Sequence, residues 1–194
     1  MGKLIFNPYA VNHQRQWYRL FSSGLIHADW MHLFINMFVL ISFGQVVEVR
    51  YSREFGDKGW YYFIMLYIGG IVISILPTYK KHREDPGYNA LGASGAVSAV
   101  VFTSILLSPV SGICLYGLLC LPAIIWGVIY IVYSWWAGRT KRENVRFVGR
   151  IGRDNVNHDA HLWGAVFGFV YTILLKPGLF EIFIAQLKLL PQSF

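Results

Sequence analysis

The sequence predicts an all-α polytopic membrane protein, on the evidence of its composition, its long apolar runs and the lack of strand periodicity. Of 194 residues, 55% are hydrophobic and 14% are charged, and the mean hydropathy is +0.45. A soluble domain carries about 25% charged residues. Lipid leaves backbone groups without partners, so each crossing is a helix or part of a closed barrel. These runs lack the alternation of barrel strands, and we expect a helical bundle.

Five apolar runs are long enough to cross the bilayer, whose hydrocarbon core of about 30 Å takes roughly 20 helical residues. They lie near residues 31–49, 60–76, 92–108, 119–136 and 160–176. Polar or Pro/Gly-containing breaks separate them, at residues 56–59, 77–87, 108–109 and 138–157. The fourth run reaches back to Val110, and Pro122 there indicates an entry turn or kink.

Three regions follow from this pattern. Residues 1–30 read as a loop before the first visible span, residues 31–176 as a transmembrane domain, and residues 177–194 as a tail. The tail has the composition of an amphipathic helix that lies along the membrane interface. Cys114 and Cys120 lie in or beside apolar sequence without metal-like Cys or His partners, and we predict that both are buried small hydrophobes.

The alternation of the spans brings polar residues to one membrane face. With five spans, the first, third and fifth begin at the same face, which we call the site face. His32 and Asn36 open the first span, Ser94 the third and His161 the fifth. Polar side chains inside a membrane usually face the bundle interior, where they pair or serve a pathway. We therefore expect these four side chains at similar depth below one surface.

Ser94 and His161 suit acyl transfer, because a neutral imidazole takes a serine proton and returns it to the leaving amine. Ser94 alone would fit close helix packing equally well. Small residues accompany both groups, with Gly95 next to Ser94, and with Gly164 and Gly168 at i+3 and i+7 from His161. Two such surfaces approach closely enough for a serine–histidine hydrogen bond.

His32 and Asn36 are spaced at i and i+4, so both project from one helix face and could hold an oxyanion. An interhelical hydrogen bond without catalytic duty is the alternative. A soluble α/β-hydrolase elbow needs G-x-S-x-G, but Ala96 stands where the last glycine belongs. A small transporter or channel component is a further alternative, which the lack of acidic residues deep in the spans disfavours.

In their order along the chain, these motifs resemble the rhomboid family of intramembrane serine proteases. The matching segments are His27-Ala-Asp-Trp-Met-His32-Leu-Phe-Ile-Asn36, Gly92-Ala-Ser94-Gly95 and Asp159-Ala-His161-Leu-Trp-Gly164-Ala-Val-Phe-Gly168, supported by Arg19, Gly44 and Glu48. The resemblance implies a dyad of Ser94 as nucleophile and His161 as general base, without an essential acid. It implies an oxyanion hole formed by the Ser94 N–H, His32 and Asn36, with helix-packing support from Gly92, Gly95, Gly164 and Gly168.

Three details qualify the resemblance. The simplest rhomboids have six spans, so this chain reads as beginning in the loop after the first one. Ser98 stands where some members carry a tyrosine that stacks under the catalytic histidine, and a smaller residue leaves the imidazole less held unless other groups replace it. Asp159 lies two residues before His161, roughly 200° away on a helix, and reads as an N-terminal helix acid.

The resemblance implies a serine endopeptidase that cuts in or near the transmembrane segment of single-span or polytopic membrane proteins. The substrate helix must unwind locally, so small or helix-breaking residues should favour cleavage. We expect no cofactor and no metal. The alternative is a catalytically silent rhomboid-like protein that binds membrane clients without cutting them.

The distribution of basic residues conflicts with the family topology. The formal net charge is +7, and of 17 lysines and arginines five lie on the face opposite the site. Those five are Arg50, Arg53, Lys58, Lys176 and Lys188, and the others lie on the site face. Positive-inside counting puts the site face in the cytoplasm, whereas the resemblance, which we follow, implies a bacterial inner membrane with that face outward. The basic loop 138–153 is expected to contact lipid head groups rather than nucleic acid.

Overall fold

The computed structural model describes residues 2–115, 118–147 and 157–190, with the backbone alone for residues 115 and 140–147. Helices dominate this part of the chain, as the sequence predicts. They are α1 (Pro8–His13), α2 (Arg19–Ser22), α3 (Trp30–Phe55), α4 (Gly59–Ile73), α5 (Leu76–His82), α6 (Ser94–Leu107), α7 (Ala123–Phe147), α8 (His158–Leu175) and α9 (Gly178–Leu187). Strands β1 (Gly112–Leu115) and β2 (Leu119–Pro122) form a hairpin between α6 and α7.

Side-chain caps fix where the long helices begin. The Asp29 carboxylate accepts a hydrogen bond from the His32 backbone N–H at 2.8 Å and starts α3. The Asn157 side-chain oxygen accepts from the Ala160 N–H at 3.1 Å and starts α8. Both caps satisfy N–H groups that the first helical turn leaves unpaired. As a result, His32 and His161 each lie in the first turns of their helices.

Helix α6 lies at the centre of the bundle, and nearly all of its residues are buried. It packs most extensively on α8, with α3 and α4 on its other sides. The approach to α8 is close because a Cβ on Gly164 would overlap the Gly95 carbonyl oxygen, and one on Gly168 would overlap that of Ala99. The small-residue contact predicted for the two helices is therefore present.

Helices occupy most of each predicted span, but the number of spans stays a prediction. Among the described residues, the run Trp30–His82, comprising α3 to α5, is long and apolar enough to cross a membrane. Helices α8 and α9 meet this test together, although they are bent by 118°. Helix α6 has 14 residues, about 21 Å at 1.5 Å each, which is shorter than a hydrocarbon core.

Three expectations for the fourth apolar run and the break after it are wrong. Its first part is not helical, because β1 and β2 pair in antiparallel register and α7 begins only at Ala123, after Pro122. This register sets Cys114 opposite Cys120, and the two form a disulfide on an exposed hairpin rather than buried thiols. Helix α7 also continues to Phe147, beyond the break expected at Gly138. Of the basic loop 138–153, residues 148–153 lie outside the described residues.

The segment before the first span is more ordered than a loop. It contains α1 and α2, and the Phe6 and Ala90 backbones form an antiparallel bridge. Arg19 is buried and donates to the Gly2 and Ile5 carbonyls at 2.9 and 2.7 Å. A buried cluster joins this segment to the beginning of α8, through Phe6, Val11, Ile75, Ala90 and Ala160. The N-terminal segment thus supports the two chain regions that precede Ser94 and His161.

Candidate active site

A cavity of about 620 Å³ opens on the side of α6 that faces α3 and α7. His32, Asn36, Ser94 and His161 all line it. Most of the other lining residues are apolar, and they reach from the site face down to Trp126 and to Ile113 in the hairpin. The four polar groups predicted to meet therefore share one largely apolar chamber.

Ser94 is the first residue of α6 and is half-buried. The preceding turn requires a glycine, since Gly92 has φ +111° and a Cβ there would come within 2.8 Å of the His32 ring. The Gly92 N–H donates to the Ser23 carbonyl at 3.0 Å, which anchors this turn to the N-terminal segment. Gly95 serves packing, because a Cβ there would overlap the Ser74 hydroxyl. The chain thus brings Ser94 to the cavity on a tightly held turn.

His161 lies in the first turn of α8, with its backbone N–H on the Asn157 carbonyl at 3.2 Å. The Asn157 amide also bonds the buried Thr78 hydroxyl of α5, with Nδ2 to Oγ1 at 3.1 Å. Two rings border the imidazole: the centroid of Tyr130 lies 5.9 Å away at an interplanar angle of 23°, and that of His158 lies 5.6 Å away, edge to face. The position of His161 therefore depends on α5, α7 and its own helix.

The i, i+4 pair on α3 also faces the cavity. Asn36 is buried and donates one amide hydrogen to the His32 carbonyl at 2.8 Å. An amide carries two N–H bonds, so the second is the candidate donor to an oxyanion. The rings of His32 and His27 meet edge to face, with centroids 5.2 Å apart. Burial, followed by the neighbouring His32, lowers the pKa of His27 from its ordinary value of 6.5, which favours the neutral ring just outside α3.

Asp159 stays apart from this arrangement in the way its spacing predicts. It lies in the first turn of α8 and accepts a hydrogen bond from Lys81 Nζ at 2.9 Å. This ion pair connects α8 to α5, and a negative charge in the first turn is favourable with the helix dipole. The contact is structural in character.

Tyr130 is the residue of the site that the sequence does not reveal. It belongs to α7, one helix further along the chain than Ser98, and no spacing rule relates it to His161. The Tyr130 hydroxyl lies 2.5 Å from Ser98 Oγ while its ring stacks on His161. The expected loss of support at Ser98 is therefore met by an aromatic ring from another helix.

Comparison with known proteins agrees with the motifs. A family model described as "Rhomboid domain" matches residues 14–178. Two Arabidopsis thaliana proteins are similar to the chain: Rhomboid-like protein 11, chloroplastic, is 29% identical over 170 residues, which are 87% of this chain and 56% of the relative. RHOMBOID-like protein 12, mitochondrial, is 26% identical over 177 residues, which are 84% of this chain and 47% of the relative. The chain thus spans about half the length of these curated relatives. Their organelle names lend no support to the expected bacterial inner membrane.

Proposed function

The chain belongs to the rhomboid family, and from this premise we propose that it is a serine endopeptidase that hydrolyses peptide bonds inside the membrane. Family membership alone does not decide this, since the family includes both proteases and inactive rhomboid-like proteins. The observation that carries the proposal is that Ser94, His161, His32 and Asn36 line one and the same cavity. An inactive member would not need to keep a hydroxyl, an imidazole and two further polar side chains in an apolar chamber, where they are costly.

In the proposed mechanism, Ser94 Oγ attacks the scissile carbonyl carbon while His161 takes the hydroxyl proton. The tetrahedral oxyanion accepts hydrogen bonds from the Ser94 backbone N–H, His32 and the free amide hydrogen of Asn36. The C–N bond then breaks as His161 gives its proton to the leaving amine, which leaves an acyl group on Ser94. A water molecule, deprotonated by His161, attacks the ester carbonyl; the bond to Ser94 Oγ breaks, His161 returns the proton to that oxygen, and the carboxylic acid product leaves.

The shape of the cavity favours a membrane-protein substrate. Its walls are apolar and run between α3 and α7, so the ligand that fits is an apolar polypeptide segment. A scissile bond in a helix is shielded by its own hydrogen bonds, so the segment must unwind where it meets Ser94. Small or helix-breaking residues near the cleavage point should therefore favour cutting, in single-span and polytopic proteins alike. The whole protein is proposed to be a multi-pass membrane protein with the site face outward.

The test is cleavage in lipid. We would reconstitute the chain with single-span reporter proteins that carry a small residue near the membrane edge, and compare wild type with Ser94→Ala. The expected result is cleavage by wild type and none by Ser94→Ala, because the nucleophile is gone. Asn36→Ala is expected to lower kcat by about 10²- to 10³-fold, the cost of one oxyanion donor.

The matched control is Ser104→Ala, a buried serine on the same helix that does not line the cavity. It should retain cleavage, whereas equal loss in both variants would indicate damage to α6 rather than to the chemistry. Cleavage that survives Ser94→Ala would exclude the serine mechanism. Reporter binding without cleavage by wild type would instead favour the client-binding alternative.

A further inference from the structure

We infer that Tyr130 is the positioning residue that holds the His161 imidazole against Ser94, and that it ties the general base to α7. The inference rests on the proposed function, in which His161 moves the proton. It rests equally on one geometric fact: a single side chain from α7 contacts both the helix of the nucleophile and the ring of the base.

The hydroxyl end of Tyr130 is fixed to α6. Ser98 Oγ donates to the Ser94 carbonyl at 2.8 Å, and the Tyr130 hydroxyl lies 2.5 Å from the same Ser98 oxygen. Ser98 has one hydroxyl hydrogen, so when that hydrogen is on the Ser94 carbonyl the tyrosine donates in the second bond. The chain of bonds therefore runs from α7 to the residue that carries the nucleophile.

The ring of Tyr130 meets the base. It lies nearly parallel to the imidazole, and it also contacts the ring of Phe102 in α6, with centroids 5.8 Å apart. Offset aromatic pairs in this range are favourable beyond their buried area. The His161 imidazole must face Ser94 for each proton transfer, and the stacked Tyr130 ring restricts its movement away from that orientation. This restriction matters because a misplacement of about 1 Å lowers the rate by a factor on the order of 10².

The origin of this support in α7 has a consequence for substrate binding. Helix α7 contributes Trp126, Gly127, Ile129 and Tyr133 to the wall of the cavity, in addition to Tyr130. A substrate segment that presses on this wall also acts on the ring beneath His161. Seating of the substrate and alignment of the base are therefore mechanically connected through one side chain.

The experiment separates positioning from folding by moving the ring. We would measure kcat and KM in lipid for Tyr130→Ala, Tyr130→Phe and the double variant Ser98→Tyr with Tyr130→Ala, which brings a tyrosine into the vacated volume from α6. We expect Tyr130→Ala to lower kcat by on the order of 10²-fold with little change in KM. Tyr130→Phe keeps the ring and should lose less, and the double variant should regain most of the kcat.

The control on the same helix is Val132→Ala, an exposed residue that does not line the cavity, and it should keep wild-type kcat and KM. Ser94→Ala is measured alongside. If Ser94→Ala still cleaves the reporter, the proposed function fails. If Ser94→Ala is inactive while Tyr130→Ala keeps kcat within about threefold of the wild-type value, only the present inference fails. A double variant that unfolds like wild type without regaining kcat would also overturn it.

A second measurement decides the matter without turnover. In protein carrying ¹³C-labelled histidine, the His161 ring resonance is identified by its loss in His161→Gln. Removal of a stacked ring should displace and broaden this resonance in Tyr130→Ala, and the double variant should sharpen it again. An unchanged resonance in Tyr130→Ala would show that the ring does not hold the imidazole.

Discussion

Single hydrogen atoms, in place of side chains, set the distance between the helix of the nucleophile and the helix of the base. Gly164 lies against the Gly95 carbonyl and Gly168 against that of Ala99. Small residues at such contacts let helix backbones approach closely, which favours association of helices in a membrane. At the scale of the residue, the distance between the helices that carry His161 and Ser94 therefore depends on the absence of side chains at Gly164 and Gly168.

Gly164→Ala is expected to destabilise the protein and to weaken cleavage. The added methyl group would overlap a backbone oxygen of α6, which cannot move aside as a side chain does. Overpacking of this kind costs typically about 1–3 kcal/mol. The measurement is thermal unfolding in detergent with Gly178→Ala as control, because a Cβ at Gly178 meets nothing within 4 Å. Equal unfolding temperatures for the two variants would contradict the packing argument.

His27 gives a pH dependence whose sign follows from its burial. Because its pKa is lowered in the folded protein, the unfolded chain binds the proton first as the pH falls. Stability should decline as the pH drops below about 6.5 and level off beneath the folded pKa. We expect the free energy of unfolding to fall less between pH 7.5 and 5 in His27→Gln than in wild type. Parallel curves would mean that this ring does not contribute.

At the scale of the element, the sequence predicts the helices that begin with polar residues better than the one preceded by a hairpin. The first, third and fifth spans start where Asp29, Gly92 and Asn157 set caps or turns, and these signals are local. The fourth run is apolar on both sides of Pro122, so periodicity alone does not separate two short strands from a helix. The pairing of Cys114 with Cys120 depends on that missed register.

The hairpin disulfide should stabilise the protein without taking part in cleavage. Cys114 and Cys120 are six residues apart, on the connection between α6 and α7. Closing so short a loop constrains the unfolded chain by about 2 kcal/mol in the chain-entropy description. The double variant Cys114→Ser with Cys120→Ser is expected to unfold earlier and to cut reporters as wild type does. The disulfide would be contradicted if wild-type protein, unfolded without a reducing agent, reacted with a thiol reagent at two cysteines.

Sequence patterns within a single run of residues also limit what can be predicted of the candidate site. Ser94, His161, His32 and Asn36 each open a predicted span, so the alternation of the predicted spans was enough to expect them near one another, and all four line the cavity. Tyr130 was not predictable, since its contact with His161 depends on how α7 lies against α6 and α8. That contact crosses between helices that are far apart along the chain, and no periodicity in a single sequence encodes it.

At the scale of the whole molecule, the bundle has a close-packed half and an open half. Helices α6 and α8 meet at their glycines and carry the proposed nucleophile and base, whereas the cavity separates α3 from α7. The proposed nucleophile and base thus lie on the close-packed half, and we expect the proposed substrate to enter on the other.

Orientation in the membrane is also a property of the whole chain, because the predicted spans assign most of its basic residues to the site face. Labelling with a membrane-impermeant maleimide tests it, with Arg83→Cys on the site face and Lys58→Cys on the opposite face. Both positions are exposed, each change removes one positive charge, and the background lacks Cys114 and Cys120. We expect intact cells to label position 83 only. Labelling of position 58 alone would place the site face inside, as the charge distribution implies.

The length of the cavity has a consequence for inhibitor chemistry. A serine-reactive group bonded to Ser94 has no room to grow toward Gly95 and Gly164, where the helices touch, but it has about 620 Å³ of apolar space on the other side. An elongated hydrophobic tail would run along α7 and end at Trp126 and at Ile113, which belongs to the disulfide-bonded hairpin. Selectivity among related proteins would therefore be sought at the tip of the tail, far from the proposed nucleophile.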